Sequence, residues 1–122
     1  RTLLIDADTS NPSVGFHLGM TNVNVGFKNL VKKEAQLKDF ISIHAPSGLH
    51  TICGTIDSKP FTISEENAKT IYSKIKNTNY AFVIVDTQPG FTTDYIAKVY
   101  DEAILITTPE DTAVASIIRL AL

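Results

Sequence analysis

Two short apolar runs in this chain each end on an aspartate: Leu3-Leu4-Ile5-Asp6-Ala7-Asp8 and Phe82-Val83-Ile84-Val85-Asp86. Runs of this length, rich in β-branched residues, read as strands buried on both faces of a parallel sheet. Ligands of open α/β sheets bind just beyond the carboxyl ends of the strands. Carboxylates at two such ends stand where a metal, a phosphate or a water could be handled.

The intervening pattern supports that architecture. Thr9-Ser10-Asn11-Pro12-Ser13 is a turn-rich cluster, and a short helix is expected over Val14 to Leu18, ended near Gly19. Asn24 is a candidate cap for a helix running to about Glu34, with Val25, Leu30 and Val31 inward. Phe40 to Ile43 and His50 to Cys53 are strand candidates separated by Ala45-Pro46-Ser47-Gly48, and Thr55 to Pro60 reads as loop. Ser64 is placed to cap a helix whose first turn carries Glu65 and Glu66, where the helix dipole favours negative charge. Ala68, Ile71, Tyr72 and Ile75 follow at helical spacing, up to Asn77-Thr78-Asn79. A helix over Thr93 to Tyr100, a strand over Ala103 to Thr107 and a last helix from about Thr112 complete the alternation. The expected fold class is α/β, a mostly parallel sheet with helices on both faces.

Bulk properties narrow the functional classes. The 122 residues suffice for one domain with a core, and 43% apolar and 20% charged residues are ordinary for a soluble globular protein. The formal net charge is −2 without a basic block, so composition lends no support to nucleic-acid binding. Cys53 is alone, excluding an internal disulfide, and lies in an apolar run, as a buried reduced thiol would. His17, His44 and His50 have no metal-ligand spacing. Lys32-Lys33 reads as a solvated helix face. No apolar stretch approaches the roughly 20 residues that span a bilayer and no signal peptide is visible, so a cytoplasmic protein is the expectation. The chain opens without Met on a strand and closes on the apolar run Ile117 to Leu122 with no stop signal. Both ends read as cut, and residues 1–122 as a single partial domain of a longer protein.

Asp6 and Asp8 share a side if strand geometry persists between them. Such a pair can hold hydrated Mg²⁺, orient a water, or serve as nucleophile and acid; alternatively, Asp8 only caps the next turn. Asp86, followed by Thr87-Gln88-Pro89-Gly90, has the Walker B arrangement, in which a strand-end carboxylate holds Mg²⁺ directly or through water. Gly90 allows close backbone approach to a phosphate, although a purely structural turn has the same composition.

Three phosphate-handling families resemble parts of this pattern. Asp6-Ala7-Asp8-Thr9-Ser10 resembles the opening motif of haloacid-dehalogenase-type phosphatases, but there the Thr- or Ser-ended strand precedes the later acidic strand end, and here Thr107-Thr108 follows Asp86. A receiver domain has a suitable length, yet Asp6 and Asp86 are 80 positions apart, too far for its two βα units, and no Lys stands at the Pro109 strand end. The third resemblance covers nearly the whole chain. The Asp6-Ala7-Asp8 strand, Asn11-Pro12-Ser13 through Leu18-Gly19-Met20, Phe82 to Gly90, and Tyr100-Asp101-Glu102-Ala103-Ile104-Leu105-Ile106-Thr107-Thr108-Pro109-Glu110 resemble, in order and spacing, the MinD/ParA family of deviant Walker ATPases (P-loop NTPases of SIMIBI type). Pro46-Ser47-Gly48-Leu49 resembles its pilus-localisation and flagellar-number branches.

That resemblance implies a set of roles. Asp8 would position or activate the attacking water, Asp6 would help organise the Mg²⁺ waters, and Asp86 would be the Walker B carboxylate. Gly90 would be the turn that senses the γ-phosphate, with Pro109 also on the nucleotide side. ATP and Mg²⁺ are the implied cofactors. The implied partners are a second copy across a nucleotide-bridged dimer, a protein activator or cargo, and a DNA or membrane surface, at which the protein would sit peripherally. The family positions division sites, DNA, pili or flagella. The family's Gly-rich Lys loop does not occur among the six glycines, so this chain by itself is expected not to hydrolyse ATP. Gln88 stands where relatives commonly carry Pro. The non-enzymatic alternative is an ATPase-derived scaffold that recruits partners without turnover.

Overall fold

The computed structural model describes residues 1–21, 23–31, 34–55, 62–89 and 100–121. They belong to two compact units, Arg1–Gln88 and Pro89–Leu122. In the first, β1 (Thr2–Asp6) is followed by a short helix α1 (Val14–His17), two 3₁₀ turns (Phe27–Val31 and Leu37–Phe40), β2 (Ser42–His44), β3 (Leu49–Ile52), α2 (Glu65–Lys76) and β4 (Phe82–Asp86). The second contains α3 (Asp111–Ala121).

The sheet has the order β2-β3-β1-β4. β1 pairs in parallel with both β3 and β4, aligning Ile5 with Ile52 and Val85, and Asp6 with Asp86. The expected parallel arrangement holds for two of the three pairings, and β2 pairs antiparallel with β3, so the sheet is mixed. The reason is the four-residue connection Ala45–Gly48, ending on Gly48 at φ +69°: so short a link joins only antiparallel neighbours.

The core lies on one face. Leu3 and Ile5 of β1 and Ile52 of β3 are fully buried, and Phe27, Leu30, Leu37 and Ile71 close over them. Fully burying one such aliphatic side chain contributes about 1.5–3 kcal/mol. α2 forms where expected. The Ser64 hydroxyl accepts the Asn67 N–H at 3.2 Å, Ala68 and Ile71 face inward, and Lys74 Nζ donates to the Leu30 carbonyl at 2.7 Å.

Three expectations change. The segment after Asn24 forms a 3₁₀ turn at Phe27–Val31 instead of a helix capped by Asn24, and residues 32–33 lie outside the described residues. Gly26 lies hard against the Cys53 carbonyl, with Phe27 N–H donating to it at 3.0 Å, and Val25 is exposed. β4, expected to be buried on both faces, is the outermost strand among the described residues, with Phe82 70% and Ile84 56% exposed on the face opposite the core. Residues 102–108 form no strand, and Ile104 and Ile106 are exposed. A strand exists through its ladder, and no described residue pairs with this segment. The helix expected over Thr93 to Tyr100 lies, except for Tyr100, outside the described residues. No helix among the described residues is long and apolar enough to cross a membrane.

Candidate functional site

The parallel register carries the two aspartate-ended strands to a common end. Asp6 and Asp86 occupy the same rung, and the Ala7 N–H continues the ladder to the Asp86 carbonyl at 2.8 Å. Asp86, the last residue of β4, is exposed, whereas Asp6 is only 1% exposed. The chain leaves strand geometry immediately after Asp6, so Asp6 and Asp8 do not project side by side from a continuing strand.

The Asp6 carboxylate turns onto backbone amides. Its Oδ1 accepts the Asp8 N–H at 3.2 Å and its Oδ2 accepts the Val14 N–H at 3.0 Å, with a further contribution from the Gly54 N–H. Burial raises its pKa, the amides of Val14 and Asp8 pull it back, and the neighbouring Asp86 charge raises it again; the balance is upward. No buried side-chain oxygen or nitrogen among the described residues lacks a partner, which is consistent with this saturated carboxylate.

Asp8 is half-buried, and its Oδ1 accepts the N–H groups of Ser10 and Asn11, both at 2.8 Å. It caps its own turn, as one reading of the sequence had it, while Oδ2 accepts no bond from the described residues. Ser10 Oγ then donates to Gln88 Oε1 at 3.0 Å, fastening this loop to the exit of β4.

Asp6, Asp8 and Asp86 therefore lie at one end of the sheet. Gly90 falls outside the described residues, and Pro109 is exposed within the second unit. Ser10, Val14 and Gly54 were not singled out from sequence, although each meets a site carboxylate or its loop. Gly54 carried a weak signal, a glycine straight after an apolar strand. A Cβ there would collide with Pro12, so the close approach of the two loops requires glycine.

The donor set suits a hard cation held in part by other oxygens. Among the described residues no group of three or more His, Cys, Asp or Glu could form a complete metal cage. Mg²⁺ commonly takes one or two carboxylates and completes its shell with waters and phosphate oxygens. The exposed Asp86 carboxylate fits that description, and Asp8 Oδ2 is left to hold a water.

Comparison with known proteins supports a P-loop NTPase-like relationship. The chain is 26% identical over 125 residues to a septum site-determining protein MinD of Nephroselmis olivacea, an alignment covering 99% of this chain and 46% of the relative. It is 25% identical over the same length to its namesake in Chlorella vulgaris, covering 99% and 44%. The chain thus spans about half the length of the curated relatives it matches. Among solved structures, the kinase domain of VpsO superposes with a TM-score of 0.63 at 25% identity, covering 82% of this chain and 51% of that domain. No protein-family model matches.

Proposed function

We propose that this chain is the carboxylate-bearing part of a MinD/ParA-like switch protein that binds ATP with Mg²⁺, dimerises around it and positions a cellular cargo. The observation that carries the reading is the shared rung of Asp6 and Asp86 with the Asp8 loop closed over it, in a chain similar to MinD over nearly its full length. Asp86 is the carboxylate for Mg²⁺, held directly or through water. Asp8 orients the attacking water through Oδ2, its Oδ1 being occupied by its own turn. Gly90 is the phosphate-sensing turn, and Pro109 belongs to the nucleotide side. Bound Mg²⁺ would neutralise charge developing on the phosphates. Phosphoryl transfer is chiefly a matter of positioning and electrostatics, which is what a carboxylate fixed by backbone amides offers.

Within the first unit, the face of β4 turned away from the core supports the same reading. Phe82 and Ile84 expose apolar side chains on a strand that pairs in parallel with β1 and has no second ladder among the described residues. Parallel strands are ordinarily covered on both faces, so further parts of a larger domain fit against it. The coding sequence upstream of Arg1 supplies the test. A Gly-rich loop with Lys is expected within about 40 residues, the span of one strand–loop–helix unit. Its absence would remove the ATPase reading and leave the scaffold, which equilibrium ATP binding by the full-length protein identifies by a null result.

A further inference from the structure

Asp6 is built unlike its two neighbours. The amides that meet its carboxylate come from three separate pieces of chain: the exit of β1 at Asp8, the first residue of α1 at Val14, and Gly54 beyond β3. Charge-assisted bonds to backbone N–H groups are about twice as strong as neutral ones, so one buried carboxylate with several of them fixes loop geometry firmly. A carboxylate for Mg²⁺ needs oxygens facing a hydrated opening, as those of the exposed Asp86 do. Asp6, 1% exposed, faces protein amides instead. The residue it controls is Asp8: Asp6 holds the Asp8 amide, and the Asp8 carboxylate begins the next turn through Ser10 and Asn11.

We infer that Asp6 is a positioning residue, a buried clamp on the amides of Asp8 and Val14 that sets where the Asp8 carboxylate stands above the Asp86 strand end. The cation then belongs to Asp86 and the attacking water to Asp8, with Asp6 holding the loop that sets one against the other. The inference rests on the proposed function only in taking Asp8 and Asp86 as the groups that meet metal and water.

NMR of the full-length protein tests the clamp, with Mn²⁺ alone as the probe. Replacing Val14 by its α-hydroxy acid removes one N–H and leaves the Asp6 carboxylate untouched; Asp6→Asn sets an amide NH₂ against the same donors. In both, the Asp8 carboxyl ¹³C resonance should move and exchange of the Asp8 amide should accelerate about tenfold or more, as expected for loss of a charge-assisted bond. The Ile5 and Ile52 ladder amides should stay protected, which separates a released loop from general unfolding. In the unaltered protein Mn²⁺ should broaden the Asp86 carboxyl most strongly and the Asp6 carboxyl beside it less. An α-hydroxy variant with unchanged Asp8 signals would overturn the clamp, as would Mn²⁺ broadening strongest at Asp6. A protein in which Asp86 ignores Mn²⁺ while the loop still responds to the missing N–H would uphold the clamp and count against the metal site, so the two failures are distinguishable.

Discussion

Ser10 and Gln88, 78 positions apart in sequence, share a hydrogen bond of 3.0 Å that fastens the loop after β1 to the exit of β4. Gln88 is also where the sequence departs from the Pro common in MinD/ParA-like proteins, and Pro has no side-chain acceptor to offer Ser10. The bond is solvent-exposed, so its net worth should be modest. A double-mutant cycle of Ser10→Ala and Gln88→Ala, followed by urea unfolding, should give a coupling energy of about 0.5–1 kcal/mol. Additive single effects would show that the bond does not persist in solution.

Gly54 is where the loop carrying Pro12 and the end of β3 come closest. A Cβ there meets Pro12 Cγ at 2.8 Å and its Cβ closer still, while Asp6 Oδ2 lies at 3.5 Å. Gly54→Ala should therefore cost about 2–3 kcal/mol, at the upper end of the range for overpacking changes. Gly19→Ala meets no atom within 4 Å and loses only the freedom of a positive φ, so it should cost about 1 kcal/mol. Equal losses in thermal unfolding would contradict the close packing of these loops.

Cys53 is 1% exposed, and burial raises its thiol pKa, partly offset by the Thr51 hydroxyl at 3.7 Å. The folded state thus holds its proton to higher pH than the unfolded state does. The sign follows: the contribution is complete below the unfolded thiol pKa near 9.0 and is lost as pH rises above it towards the folded value. Stability of Cys53→Ala should fall less steeply than that of the unaltered chain above that pH. Native protein should also resist alkylation until denaturant is added, and rapid alkylation at neutral pH would refute the burial.

The N-cap of α2 is a local feature with a local test. Ser64→Ala removes the acceptor for the Asn67 N–H, and the cost should be about 1 kcal/mol in chemical unfolding. A loss below about 0.2 kcal/mol would mean that water caps this end equally well.

Features governed by nearest neighbours in sequence were legible. Ser64 with two glutamates announced α2, and the apolar runs announced β1, β3 and β4. Features governed by distant neighbours were not. The direction of β2 was within reach, because Ala45 to Gly48 is too short for a parallel crossover, but the alternating pattern of the whole chain outweighed it. The helix expected from Asn24 yielded to a tight approach of Gly26 to Cys53, which no periodicity encodes. Residues 103–107 have strand composition without a described ladder partner, and composition cannot supply one. At the site, the strand-end positions of Asp6 and Asp86 could be read directly. The burial of Asp6 under amides from residues 14 and 54 could not, since it depends on two loops meeting at one carboxylate.

The central claim is that Asp8 handles water while Asp86 handles the cation, and steady-state turnover measured beside equilibrium ATP binding tests it most directly. For the full-length protein, Asp8→Ala should keep ATP binding and nucleotide-dependent dimerisation while turnover drops about 10²-fold or more, in line with loss of a water-orienting group. Turnover equal to that of the unaltered protein would contradict the account, because the carboxylate assigned to the water would then be dispensable.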